Sequence, residues 1–238
     1  MSLNILLIGD SCIDVYIRGK VTRLSPEAPV PIFQPIGSSM KLGMASNVAN
    51  NLTALGCNVD LVTNKDKGLK TRYIDNKSGQ HLLRMDEEAW IEPWDNKLPE
   101  FTNYDVVVIS DYNKGFLSYE QIESIIECTQ VPVFVDTKKP DLIRFNKAIV
   151  KINEQEASLS ISKCENLIVT YGSSHVSFND KQYPVPKVPV FDVCGAGDTF
   201  LAALAYKYGN TKQIKEASAI TVQHLGVYSP SLKELNVD

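Results

Sequence analysis

Little in the sequence would suit a metalloprotein or a disulfide-stapled secreted domain. Its 238 residues include only five cysteines and three histidines. Cys12, Cys57, Cys128, Cys164 and Cys194 are odd in number, scattered and never in C-x-x-C spacing, which argues against a structural zinc site and predicts reduced thiols. No apolar run approaches the roughly 18 residues that a membrane span needs. The strand-like segment at Asn4 begins too early to leave room for a signal peptide. A cytoplasmic protein without a membrane partner is therefore expected. Positive charge is not in excess either: 24 Lys and Arg stand against 28 Asp and Glu, a formal net charge of −4. Nothing in that balance favours a nucleic-acid partner. Two phosphate-binding signatures are also missing, the G-x-x-x-x-G-K-[ST] loop and a G-x-G-x-x-G after the first apolar run, which disfavours NAD. There is no internal repeat, low-complexity tract or interdomain linker, so one domain over residues 1–238 is expected.

With 44% hydrophobic and 22% charged residues, the chain can bury a substantial core. Short runs rich in β-branched residues recur at Asn4 to Ile8, Val106 to Ile109, Val131 to Val135, Ala148 to Ile152 and Leu167 to Thr170. They lack strict alternation, as strands covered on both faces do. Between some of them lie helical patterns. Ser118 to Cys128 opens with a Ser118/Gln121 capping box, Ser46 to Leu55 stops at Gly56, and Thr199 to Tyr208 precedes Gly209. This alternation predicts an α/β fold with a mostly parallel central sheet. Two stretches break the rhythm. Val15 to Pro35 carries Pro26, Pro29 and Pro31, which favour extended structure, and Thr71 to Met85 reads as a hairpin around Asn76-Lys77-Ser78-Gly79. A small β flap made of approximately residues 15–38 and 71–90 follows.

The sharpest local signal is Asp192-Val193-Cys194-Gly195-Ala196-Gly197-Asp198, directly before the last amphipathic pattern. Small residues let backbone N–H groups approach a ligand, and a helix N-terminus adds unpaired donors and a positive dipole end. Such a turn suits the charge that develops on a transferring phosphoryl group. Asp198 at its mouth can take a proton from a hydroxyl nucleophile; the competing reading is a Gly-rich turn in which Asp198 only caps the helix.

D-x-x-G-A-G-D-x-F resembles the C-terminal signature of the ribokinase/PfkB carbohydrate kinases. Further blocks follow in the order used by the heptose 7-phosphate kinases of that family, which serve lipopolysaccharide precursor synthesis. These are Gly9-Asp10-x-x-x-Asp14, Ser25 to Pro31 (SPEAPVP), Gly43 to Ala49, Ser110 to Gly115, Val135 to Lys138 and Asn153-x-x-Glu156. The resemblance implies a three-layer αβα ribokinase-like fold and an ATP-dependent phosphotransferase. Its acceptor would be a sugar or sugar phosphate, D-glycero-D-manno-heptose 7-phosphate at O1, with Mg²⁺ and also K⁺ as ions. The alternatives are a kinase of another sugar or nucleoside, or a catalytically weakened ligand-binding homologue.

Position by position, the resemblance makes Asp198 the general base and Gly195, Ala196 and Gly197 the anion hole. It assigns sugar hydroxyls to Asp14, Gly43 and Asn47, and the acceptor's phosphate to Arg84, Lys114 and Lys138. Asn153, Glu156, Thr170 and Gly172 would serve the nucleotide, with Glu156 holding Mg²⁺ through water and Asp192 beside a monovalent cation. A homodimer through the flap is also implied. Plainer readings compete at several positions. Asp14 could make an Asx-turn, Arg84 could pair with Asp86, and Asn153 and Glu156 could form a capping box. Lys139 is expected to be solvated, and Asp111 and Asp136 to position neighbouring lysines. The chain departs from the family by being shorter, by carrying Met44 after Gly43 where paired glycines are usual, and by carrying Cys194 for threonine.

Overall fold

The structure, a computed structural model, describes residues 2–95, 97–184 and 195–211. Asp192 and Cys194 therefore lie outside the described residues.

In chain order the elements are β1 (Asn4–Gly9), β2 (Ser11–Leu24), β3 (Pro31–Met44), α1 (Ala45–Ala54), β4 (Asn58–Thr63), β5 (Leu69–Asp75), β6 (His81–Glu87), β7 (Val106–Asp111), α2 (Tyr119–Cys128), β8 (Val133–Thr137), β9 (Ile149–Asn153), α3 (Glu154–Leu159), β10 (Asn166–Thr170), β11 (His175–Phe178), β12 (Lys181–Pro184) and α4 (Ala196–Thr211). An eight-stranded sheet has the order β12-β11-β10-β9-β8-β7-β1-β4. Its strands pair in parallel from β4 to β10, and the β10–β11 and β11–β12 pairs are antiparallel.

Each central strand is apolar on both faces because helices cover both. On one side, Val48 and Leu52 of α1 and Leu201 and Leu204 of α4 pack on Ile5, Leu7, Val106 and Val108. On the other, Ile122 and Ile125 of α2 pack on Leu6, Ile8, Val107 and Ile109. The result is three layers, helix, sheet, helix. Each fully buried Ile or Leu side chain contributes about 1.5–3 kcal/mol, so the apolar runs fix which segments enter the sheet. The Ser118 capping box forms as expected, with Gln121 N–H on the Ser118 hydroxyl at 3.2 Å and Ser118 N–H on the Gln121 side chain at 2.6 Å.

The second sheet is the flap, in the order β3-β2-β5-β6. Its first two strands are 14 residues each, and Pro26 and Pro29 fall in the loop between them. The Thr71 to Met85 hairpin forms as the antiparallel pair β5 and β6, while β2 and β5 pair in parallel. The start of β8 also shifts: Val131 and Pro132 lie before it, and Pro132 uses its carbonyl to accept from Val107 N–H at 2.9 Å. Helix α4 begins three residues earlier than its apolar pattern and runs past Gly209, where Leu3 packs against the missing side chain.

The parallel strands β1, β7, β8 and β9 all end on the same edge of the sheet, the edge from which the flap rises. In open α/β sheets ligands bind beyond these carboxyl ends.

Candidate active site

The crossing from flap to core sets the floor of the site. β3 passes into α1 through Met44, a non-glycine residue at φ 60°, ψ −133° and only 4% exposed. Such backbone costs of order 1–3 kcal/mol in a side-chain-bearing residue, and the surroundings hold it: Ala45 N–H donates to the Asp10 carbonyl at 2.9 Å, and Ser46 N–H to the Ser11 hydroxyl at 3.1 Å. In its first turn, α1 presents Asn47.

Asp198 is the third residue of α4 and is 4% exposed. Asn47 Nδ2 donates to its Oδ2 at 2.9 Å and Tyr112 Oη to its Oδ1 at 2.7 Å. Burial pushes the carboxyl above its ordinary value, while these two donors and the Lys151 ammonium pull it back. The first intrahelical bond of α4 runs from Thr199 N–H to the Gly195 carbonyl at 2.9 Å. The N–H groups of Ala196, Gly197 and Asp198 thus precede any intrahelical acceptor and form the positive end of the helix.

Beneath that end lies Lys151, 3% exposed, which a sequence reading passes over because it stands inside the apolar run of β9. Its Nζ donates to Asp136 Oδ2 at 2.7 Å, and a side chain added at Gly197 would meet the same Nζ at 2.9 Å. Burial pushes the ammonium down, but Asp136, Glu156 and Asp198 together raise it above its ordinary value and keep it charged. Burial also pushes the Asp136 carboxyl up to about 6, against the pull of Lys151.

Tyr112 falls in the block Ser110 to Gly115, and nothing in its sequence context gives it a role. In the fold its ring lies under two ammonium groups, Lys138 at 4.9 Å and Lys70 at 5.3 Å from the centroid. Burial and the neighbouring Asp198 push its hydroxyl well up, so it stays a donor to that carboxylate.

Above this floor the flap presents one face, set by register. Lys41, Asp14, Lys70 and Asp86 lie side by side across the four strands. Two residues farther out come Ser39, Tyr16, Arg72 and Arg84. Flap and floor enclose a cleft of about 990 Å³ lined by Asp14, Asn47, Arg84, Lys114, Lys138, Gly195 and Asp198 among others. Gly43 is not among the residues lining it; it is buried behind Asp14, where a Cβ would stand 2.2 Å from Asp14 Oδ2 and 2.7 Å from Cys12 Sγ.

Several of these residues have partners. Asp14 accepts from Arg72 rather than making a local turn. Arg84 grips Asp86 with two bonds of 2.7 Å, Lys114 pairs with Glu88, and Lys138 donates to Glu156 Oε1 at 2.7 Å. Asn153 and Glu156 form a capping box, Glu156 N–H on Asn153 Oδ1 at 2.9 Å and Asn153 N–H on Glu156 Oε2 at 2.8 Å. Thr170 Oγ1 reaches the Ile152 carbonyl at 3.4 Å, and Gly172 turns at φ 56° beyond β10; neither lines the cleft. Lys139, expected in solvent, is instead 5% exposed, because its ammonium bonds Asn113 Oδ1 at 2.9 Å and Asp111 at 3.1 Å. Among the described residues no group of three His, Cys, Asp or Glu side chains could hold a metal directly. No described helix is long and apolar enough to cross a membrane.

A carboxylate held by two donors in the first turn of a helix, on the floor of a polar cleft, has the geometry to take a proton from a ligand hydroxyl. The model of the pfkB family carbohydrate kinases matches residues 62–232. The chain belongs to this family. Among curated relatives, the bifunctional protein HldE of a Nitratiruptor species is 31% identical over 299 aligned positions, covering 99% of this chain and 64% of the relative. HldE of Hydrogenovibrio crunogenus is 30% identical, covering 98% of this chain and 62% of the relative. The chain thus spans less than two thirds of the length of these relatives. The alignments are also longer than the chain, so the relatives carry stretches that it lacks. Thermotoga maritima ribokinase has the same fold, with a TM-score of 0.67 at 18% identity over 98% of each chain. So does Arabidopsis thaliana ribokinase complexed with ribose and ATP, with a TM-score of 0.66 at 16% identity over 98% of this chain and 96% of that one. The chain thus joins membership of the pfkB carbohydrate kinase family to the ribokinase fold.

Proposed function

We propose that this kinase transfers the γ-phosphoryl group of ATP to O1 of D-glycero-D-manno-heptose 7-phosphate, with Asp198 as the general base. The observation that carries the reading is the Asp198 carboxylate, fixed by Asn47 and Tyr112 in the first turn of α4, where Gly195, Asp198 and Thr199 line the cleft. The acceptor hydroxyl gives its proton to Asp198 as its oxygen forms the new bond to phosphorus, and the departing ADP oxygen keeps the electron pair. The N–H groups of the first turn and the Lys151 ammonium face the charge on the moving phosphoryl group. Asp14 and the Gly43 backbone hold neighbouring hydroxyls. The heptose acceptor is supported by the relatives named HldE and by the surplus of cations lining the cleft.

Mg²⁺ would arrive with the nucleotide. Both Glu156 oxygens are already engaged, by Lys138 and by the cap, so this carboxylate suits a contact through water with an ion that keeps its water and phosphate ligands. When bound, the ion would offset the negative charge of the nucleotide phosphates. Thr170 and Gly172, at the end of β10, are assigned to the nucleotide side.

An ADP-release assay across phosphorylated and free sugars tests the proposal. Turnover is expected with the 7-phosphate, and ADP release only with unphosphorylated sugars or nucleosides would sink the heptose assignment. A second expectation concerns pH. The donors on Asp198 favour its charged form, so Tyr112→Phe raises the carboxyl further, and the acid limb of kcat/KM moves to higher pH. A limb that stays in place or moves down would show that Tyr112 does not act through Asp198.

The outer face of the flap carries Met40, Leu83 and Met85, exposed by 66%, 60% and 42%. We assign this face to a homodimer in which two flaps cover each other. Equilibrium sedimentation is expected to give twice the chain mass, and Leu83→Glu the monomer.

A further inference from the structure

Resting on the kinase reading above, we infer that Lys41 and Arg18 form a seat on the flap for a phosphate that the acceptor already carries. The charge pairing in the cleft points there. Arg84, Lys114 and Lys138, the cations first assigned to that phosphate, are each closed by a carboxylate: Asp86, Glu88 and Glu156. Among the described residues, Lys41 and Arg18 line the same cleft and make no ion pair with any carboxylate. Lys70 makes none either, but it leans over the Tyr112 ring beside Asp198 and so belongs to the reacting end.

Position along β2 separates the two ends. Asp14, Tyr16 and Arg18 point to one face, and each step of two residues moves about 7 Å farther from the core. Asp14 lies near the floor, against Gly43. Lys41 starts beside Asp14 but folds outward, its Nζ 5.9 Å from the centre of the Tyr16 ring, where the Arg72 guanidinium also lies at 5.4 Å. Arg18 stands one step beyond. A sugar whose reacting hydroxyl meets Asp198 and whose inner hydroxyls meet Asp14 therefore ends, one or two steps out, among these cations. A terminal phosphate dianion matches two positive charges that no carboxylate answers, and an uncharged sugar end would leave them so.

Lys41 and Arg18 are both exposed, so the double variant Lys41→Gln/Arg18→Gln folds without a buried defect. Loss of charge-assisted contacts is expected to raise KM for the phosphorylated acceptor by roughly 10- to 100-fold. It also collapses the preference, in kcat/KM, for that acceptor over its dephosphorylated form. Inorganic phosphate, used as a competitor, should lose its inhibition of the wild-type enzyme's acceptor binding in the same variant. If the wild type prefers the phosphorylated sugar and the variant keeps that preference, the seat is wrong while the kinase reading stands. If the wild type shows no preference for a phosphorylated sugar, both the seat and the phosphosugar assignment fall.

Discussion

Asp198→Asn is expected to lower kcat by roughly 10²–10⁴, the range for losing a general base. That corresponds to about 2.7–5.5 kcal/mol of transition-state stabilisation. The amide keeps the size of the side chain and can still accept at one position, so the neighbours need little rearrangement. What it removes is the site for the hydroxyl proton. It also places an NH₂ group opposite Asn47 Nδ2 or Tyr112 Oη, both of which donate to the carboxylate. KM for ATP is expected to change far less than kcat, because in the proposed mechanism the nucleotide would meet main-chain N–H groups and not the carboxylate. A variant that turns over at the wild-type rate would mean that the proton leaves by another route.

The second large effect is structural and catalytic together. Lys151→Met leaves the Asp136 carboxylate buried without its counter-charge, which typically destabilises by about 3–5 kcal/mol. Replacing both members of a buried pair is often neutral, so Lys151→Met/Asp136→Leu is expected to recover most of the lost stability in urea unfolding. It does not restore activity, because the positive charge beneath Gly197 is still missing. Recovery of both stability and turnover in the double variant would show that Lys151 serves packing alone. Gly197 bears on the same geometry: a methyl group there would press on the Lys151 ammonium from the other side.

These two residues mark the border of what the sequence reveals. The apolar strands were legible because a strand buried on both faces has few polar residues to interrupt it. The Ser118/Gln121 and Asn153/Glu156 capping boxes were legible because their partners lie three residues apart. The last helix was legible from its apolar pattern, though it starts at Ala196, inside the run of small residues. Lys151 was hidden inside just such an apolar run, where one polar residue reads as an interruption. Asn47 and Tyr112 meet Asp198 across 151 and 86 residues of chain, and no local pattern encodes such contacts. The flap strands β2 and β3 extend beyond the proline-marked stretch, since prolines signal extended chain without fixing where pairing ends. Their parallel β2–β5 pairing, which brings Lys41, Asp14 and Lys70 into one row, depends on register that only the folded sheet displays. Lys139 shows the same gap, because its burial follows from Asp111 and Asn113, more than twenty residues away.

The most direct test follows phosphorus itself. Phosphorus NMR of the protein with ATP, Mg²⁺ and D-glycero-D-manno-heptose 7-phosphate should show ADP and a second, anomeric phosphate on the sugar. Both signals should grow at the wild-type rate and nearly vanish with Asp198→Asn. Release of inorganic phosphate from ATP with the sugar untouched, or an equal anomeric signal from the variant, would contradict the account.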